Sequence, residues 1–190
     1  MRKSDFDHVV AAAVDVSGER EIVVIGSQAI LASVEDPPEA LVESMELDVY
    51  PLNDPDKAEE IDAVLGDGSP FQGTYGFYAH GVGPETVKAP TGWQERLIRV
   101  AVPPRPAQKV EPIAYCLELH DLVLAKCAAG RERDWDYTRE MLKRELVELD
   151  ELLGRISEMP VSAAIQEHMT KMLKGIGIQL GLIAESRDIK

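Results

Sequence analysis

The run Glu21-Ile22-Val23-Val24-Ile25 constrains this chain more than any other: after one charged residue it is wholly apolar, and it stops at Gly26-Ser27. A strand with no polar side to offer water is buried in its sheet, so helices must cover that sheet. Glycine lets the chain turn sharply and brings backbone N–H groups close to a ligand. Ser27 is a good helix N-cap for the helical stretch expected from Gln28 to Ala32. A helix N-terminus after such a turn suits an anion; an ordinary strand-to-helix turn with a serine cap has the same sequence.

The second constraint is Met45-Glu46-Leu47-Asp48-Val49-Tyr50, which alternates as a strand does. Residues two apart lie on one side of a strand, so Glu46 and Asp48 project together while Leu47 and Val49 point into the core. Their Cα atoms are expected roughly 7 Å apart from the rise per residue. Two carboxylates at that spacing share a divalent cation readily, and Mg²⁺ takes one or two carboxylates together with substrate phosphates. An exposed strand face that simply needs polar residues is the competing reading.

The helices punctuate themselves. Ser4 is a candidate cap for a first helix to about Val14, with Phe6, Val9, Val10 and Ala13 on one stripe and Gly18 as its stop. Pro37-Pro38 opens a short helix or linker from Glu39 to Ser44. Asp54 to Leu65 reads as an amphipathic helix with Ala58, Ile61 and Leu65 inward, ended by Gly66. From Asp67 to Gly83 the chain is rich in glycine and aromatics, which reads as a hairpin-like loop leading to a strand with Phe77 and Tyr78. The other reading puts Tyr75, Tyr78 or His80 in a base pocket beside the acidic strand, since aromatic faces stack on bases. Strands follow at Glu95 to Val102 and Ile113 to Leu117, separated by the stiff Pro103-Pro104-Arg105-Pro106.

Leu119, Leu122, Val123, Lys126 and Cys127 recur at helical spacing, which sets an ammonium on an inward stripe; it either snorkels out along its stem or points into a polar cavity. Gly130 stops that helix, Arg131 and Arg133 follow, and Asp134 enters the next as an N-terminal acid, a placement that capping alone explains. Further helices are expected near Asp134 to Leu146, Leu149 to Glu158 and Ser162 to Leu173, with glycines at 175, 177 and 181 obscuring the end of the last. The fold class is therefore α/β in the α+β sense: a small mixed sheet backed by helices, with residues 1–130 as core and 131–190 as a helical C-terminal part.

With 190 residues there is length enough for a substantial core. A formal charge of −14 argues against a broad nucleic-acid surface, which would be basic, and suits a basic protein partner. Two cysteines without histidine at zinc spacing suggest buried small hydrophobes, Cys127 on its inward stripe among them. The start of the chain lacks the apolar core of a signal peptide and no apolar run is long enough to span a bilayer, so a cytoplasmic location without membrane contact is expected.

Ile25-Gly26-Ser27, eighteen intervening residues and Glu46-Leu47-Asp48 together resemble the hydrophobic-Gly-Ser and Asp-x-Asp pattern of the DNA polymerase β type nucleotidyltransferase superfamily. The spacer is longer than usual, and Glu46 stands where the first aspartate is more common. The likeness implies a nucleoside triphosphate substrate, phosphates seated by Gly26 and Ser27, and Mg²⁺ held by Glu46 and Asp48. The segment from Asp121-Leu122 through Lys126, Ala129 and Arg131 to Asp134 is similar to one in bacterial AbiEii-like and related nucleotidyltransferase-like proteins. That likeness places Lys126 and Asp134 in the active-site region, with Lys126 neutralising charge on the transferring group. Arg131 and Arg133 either hold phosphate by bidentate donors or simply solvate the turn.

The resemblance covers roughly residues 20 to 145. It admits an RNA, a protein or a small molecule as acceptor, a toxin–antitoxin role, and a protein partner or a homo-oligomer. Active members place a third carboxylate on a later strand, but Arg96 to Val102 carries arginines there. Loss of transfer with retention of nucleotide or partner binding is the alternative the sequence leaves open.

Overall fold

In this computed structural model residues 1–106 and 108–184 are described; the last six residues of the expected helical part lie outside them. The chain divides into two compact units, one of residues 1–87 and 92–118, the other of Lys88–Thr91 with the chain from Leu119 on.

The first unit is built on a five-stranded mixed sheet. Its strands are β1 (Glu21–Ile25), β2 (Glu46–Pro51), β3 (Tyr78–Gly81), β4 (Ile98–Ala101) and β5 (Ile113–Cys116), in the spatial order β3-β2-β1-β5-β4. The apolar run is the central strand, antiparallel to β2 and parallel to β5, while β3 runs parallel to β2 at one edge. Ile22, Val23 and Val24 are fully buried, as a central strand without polar side chains requires.

Register divides the sheet into two unlike faces, because residues opposite one another on neighbouring strands share a side. On one side Ile22, Val24, Leu47, Val49 and Ala79 are wholly buried. Helix α1 (Lys3–Ser17) and helix α2 (Ala58–Leu65) pack there. Phe6, Val9, Val10 and Ala13 of α1 and Ile61 of α2 have no exposed surface. Each large side chain buried so completely contributes about 1.5–3 kcal/mol. Gly81 shows how closely α2 lies on β3: a Cβ there would run into the Ala58 carbonyl oxygen. The other side carries Glu46 and Asp48.

Several boundaries differ from the sequence reading, each for a local reason. Helix α1 starts two residues earlier, with Arg2 at the cap position and its amide donating to Asp5 Oδ2 at 2.9 Å, and runs to Ser17, so Ser4 is not its cap. The turn after β1 is a six-residue 3₁₀ helix, Ser27–Ala32; its cap position is Gly26, and Ser27 is its first residue. The glycine-aromatic run contains a short helix, α3 (Pro70–Tyr75), capped by the Ser69 hydroxyl, which accepts from the Gln72 amide at 3.2 Å. Proline at the first helical position favours that start, and Gly76 at φ +79° supplies the left-handed residue that ends it.

The second unit is helical: α4 (Leu119–Ala129), α5 (Glu132–Lys143), α6 (Leu149–Arg155) and α7 (Ala163–Gln179). Helix α7 runs through Gly175 and Gly177. The second glycine has a packing reason, since a Cβ at Gly177 would strike the Leu149 side chain of α6. Residues Leu122, Val123, Leu124 and Cys127 make α4 apolar almost all round.

Candidate functional site

Strand β2 delivers the two carboxylates as the alternation requires: Leu47 and Val49 are buried, and Glu46 and Asp48 emerge together on the other side. Strand β3 sets Tyr78 opposite Glu46 and His80 opposite Asp48. The Tyr78 hydroxyl donates to Glu46 Oε2 at 2.7 Å. His80 Nδ1 lies 3.0 Å from Asp48 Oδ1 and 3.5 Å from Glu46 Oε1. One carboxylate oxygen of each acid therefore faces the same imidazole nitrogen.

On the other flank of β2, Ile25 pairs with Asp48 and Gly26 follows it. Gly26 has φ +76° and ψ −173°, a conformation essentially reserved to glycine. A Cβ there would also meet Asp48 Oδ2. Glycine at this position is thus required twice, by the backbone and by the carboxylate against it. Gln28, in the same 3₁₀ turn, is 1 % exposed and donates from Nε2 to the Ser44 carbonyl at 2.8 Å, which ties the turn to the lead-in of β2.

Two acids held this close disturb each other's protons. Burial, reinforced by the Glu46 carboxylate beside it, pushes the Asp48 carboxyl up to about 6. Burial acts on Glu46 in the same direction, but hydrogen bonds from Asp48 and Tyr78 and the nearby His80 outweigh it and hold Glu46 below the ordinary glutamate range. His80 is pulled down by burial, yet its bond to Asp48 and the charges of Glu46, Asp48 and Asp62 leave it net raised. The bond to Glu46 and burial push the Tyr78 hydroxyl up to about 12. Two interacting acids are thus driven apart, Asp48 up and Glu46 down.

Among the described residues Glu46, Asp48 and His80 make a group of three potential metal ligands whose donor atoms lie within 4.8 Å of one another. The chain as a whole matches the model of a family described as "nucleotidyltransferase of unknown function" (DUF6036) over residues 5–174. The chain belongs to that family. No curated protein and no solved structure matches it. For this nucleotidyltransferase-like chain, the face that carries Asp48 presents Val23 and Ile25 on β1, Tyr115 on β5 and Arg99 on β4. The acid on that face of β1 is Glu21, at the far end of the strand, where its Oε1 accepts from the Tyr115 hydroxyl at 3.3 Å.

Lys126, Arg131 and Asp134 belong to the second unit and form a group of their own. Lys126 Nζ lies 3.3 Å from Asp134 Oδ1 and 4.4 Å from the centre of the Tyr137 ring. Asp134 is 4 % exposed and its Oδ2 accepts from the Arg131 amide at 3.4 Å, so it is the N-terminal acid of α5 that its position suggested. The Arg131 side chain is exposed. Asp121, the first residue of the same segment, is wholly buried, with Arg155 of α6 at 2.8 Å.

Of the three side chains considered for a base pocket, Tyr78 and His80 stand in the acidic cluster. Tyr75 packs elsewhere, its ring centre 4.3 Å from His8 and 4.9 Å from Phe71. The sequence showed His80 only as a neighbour of the acidic strand. Its place opposite Asp48 follows from the β2–β3 register, which no local signal in the sequence announces.

Proposed function

We propose that this chain is a divergent nucleotidyltransferase whose reaction centre is the Gly26–Asp48 corner of the first unit. The observation that carries the reading is the pair Glu46 and Asp48, side by side on β2 with Gly26 against the Asp48 carboxylate. The donor set fits a divalent cation. Oxygens from two carboxylates side by side suit Mg²⁺. Such an ion supplies charge neutralisation to a triphosphate. Gly26 lets the backbone come close, and Ser27, the first residue of the turn, is the other residue assigned to the phosphates.

The reaction is nucleotidyl transfer: an acceptor oxygen bonds the α-phosphorus, the bond to the β-phosphate oxygen breaks, pyrophosphate leaves and the acceptor's proton passes to water. Chemistry of this kind is chiefly positioning and electrostatics. Acceptors of three classes, RNA, protein and small molecule, and a toxin–antitoxin setting belong to the same proposal. Lys126, whose ammonium lies against Asp134 and the Tyr137 ring, belongs to the second unit and is not used in this reading.

Pyrophosphate release tests the proposal, measured with each ribonucleoside triphosphate, Mg²⁺ and the three acceptor classes in turn. Release is expected with the native chain and not with Glu46→Gln or Asp48→Asn; release that persists in both variants overturns the assignment. The hydrophobic and basic side chains that share the sheet face with Asp48 favour a second reading, a nucleotide- or partner-binding module without turnover. Cation-dependent nucleotide binding with no release for any acceptor supports that second reading.

A further inference from the structure

The two carboxylates do not stand alone, and the third group beside them is a nitrogen donor. We infer that Glu46 Oε1, Asp48 Oδ1 and His80 Nδ1 form a three-donor site that selects a first-row transition cation such as Mn²⁺ over Mg²⁺. The inference rests on the cation site proposed above and assigns it a metal class.

Geometry supports it first. Donors around a six-coordinate ion at about 2.1 Å are roughly 3.0 Å apart, and around a tetrahedral one roughly 3.3 Å. The separations from His80 Nδ1 are 3.0 Å to Asp48 Oδ1 and 3.5 Å to Glu46 Oε1. All three donor atoms lie within 4.8 Å of one another, so an ion that replaces the proton shared by His80 and Asp48 reaches all three by side-chain adjustment alone. The Tyr78 hydroxyl is bonded to Glu46 Oε2, which leaves Oε1 to face the ion, as outer hydrogen bonds commonly do for ligating carboxylates.

Ligand chemistry supports it second. Mg²⁺ prefers an all-oxygen octahedron and keeps much of its water. Imidazole suits first-row ions such as Fe²⁺, Ni²⁺ and Zn²⁺, and Mn²⁺, the weakest binder of that series, is the most demanding case of the preference. A histidine on the strand that flanks the two acids therefore tilts the site away from Mg²⁺. It also supplies a third donor on a sheet face that offers no third carboxylate next to Asp48.

The test is isothermal titration of the nucleotide-free protein with Mn²⁺ and with Mg²⁺, for the native chain, His80→Ala, His80→Gln and the Glu46→Gln/Asp48→Asn double variant. Visible absorption of bound Co²⁺ reports on the nitrogen donor independently. Mn²⁺ should bind the native chain at least about tenfold more tightly than Mg²⁺, and both His80 variants should lose most of that preference, with the Co²⁺ bands shifted. Equal affinities for the two ions, untouched in both His80 variants, overturn the inference and leave the carboxylate site standing. Binding that survives in the double variant overturns the carboxylate site itself. If neither ion binds the native chain at millimolar concentration, the three-donor site is refuted, while nucleotide-dependent cation binding remains to be read by the transfer assay.

Discussion

The two units treat charge in opposite ways. In the helical unit each buried or half-buried carboxylate has a cation of the protein's own: Arg155 for Asp121, Lys126 for Asp134. In the sheet unit two carboxylates stand beside each other, with one half-exposed imidazole between them and a glycine of positive φ against one of them. The first arrangement is complete and explains itself by packing. The second has only His80 between two acids, which is why the proposed cation is placed there.

If the helical pairs are structural, breaking one should cost the most of any change considered. Arg155→Ala takes the guanidinium from a carboxylate with no exposed surface. It should destabilise by about 3–5 kcal/mol and lower the melting temperature by roughly 10 °C in calorimetry. A loss below about 1 kcal/mol would mean that the pair is no more than a surface bridge.

Gly26→Ala probes the other side. The backbone at φ +76° and the Asp48 oxygen in the way both oppose a Cβ. The expected loss is about 3 kcal/mol in denaturant titration, with weaker cation binding as well.

Asp48→Asn should do the reverse of Arg155→Ala and raise stability in the absence of cation. The Asp48 carboxyl titrates at about 6 in the folded chain against an ordinary 3.8. Between these values the unfolded chain has lost a proton that the folded chain keeps. The Asp48 contribution to native stability therefore falls as pH rises from about 4 to 6 and stays low above, by ~3 kcal/mol for that group alone, with the lowered Glu46 acting the other way. Asparagine removes that fall, so the variant should melt higher than the native chain at pH 7 and no higher at pH 4. A lower melting point at pH 7 would place Asp48 with the structural pairs.

Tyr78→Phe should have the smallest effect. One hydrogen bond to Glu46 is lost, about 1 kcal/mol. Potentiometric or NMR titration should show the Glu46 carboxyl rising, since that bond helps to hold it down.

Much of the sheet was legible because central strands announce themselves. Glu21–Ile25 has nothing polar to expose, and Glu46–Tyr50 alternates so strictly that the shared side of Glu46 and Asp48 could be read directly. Helix α2 declared its inward residues Ala58, Ile61 and Leu65, all of which are buried. Helix α3 was hidden because glycine and aromatic residues argue for turns, whereas Ser69-Pro70 starts a helix through capping that only a short window shows. Gly177 sits where α7 packs against Leu149 of α6, a tertiary reason for glycine that helical propensity does not show. His80 escaped for a related reason: its partner Asp48 is thirty-two residues away and the match between them is a matter of strand register. Asp121 and Arg155 likewise meet only after α4 and α6 have packed.

The central claim, that Glu46 and Asp48 form a cation-dependent nucleotide site, is tested most directly by isothermal titration. Each of the four ribonucleoside triphosphates is titrated with and without a divalent cation, into the native chain and into the Glu46→Gln/Asp48→Asn double variant. The account predicts binding of at least one triphosphate that needs the cation and disappears in the variant. Binding that is equal in the two proteins, or that ignores the cation, would contradict it.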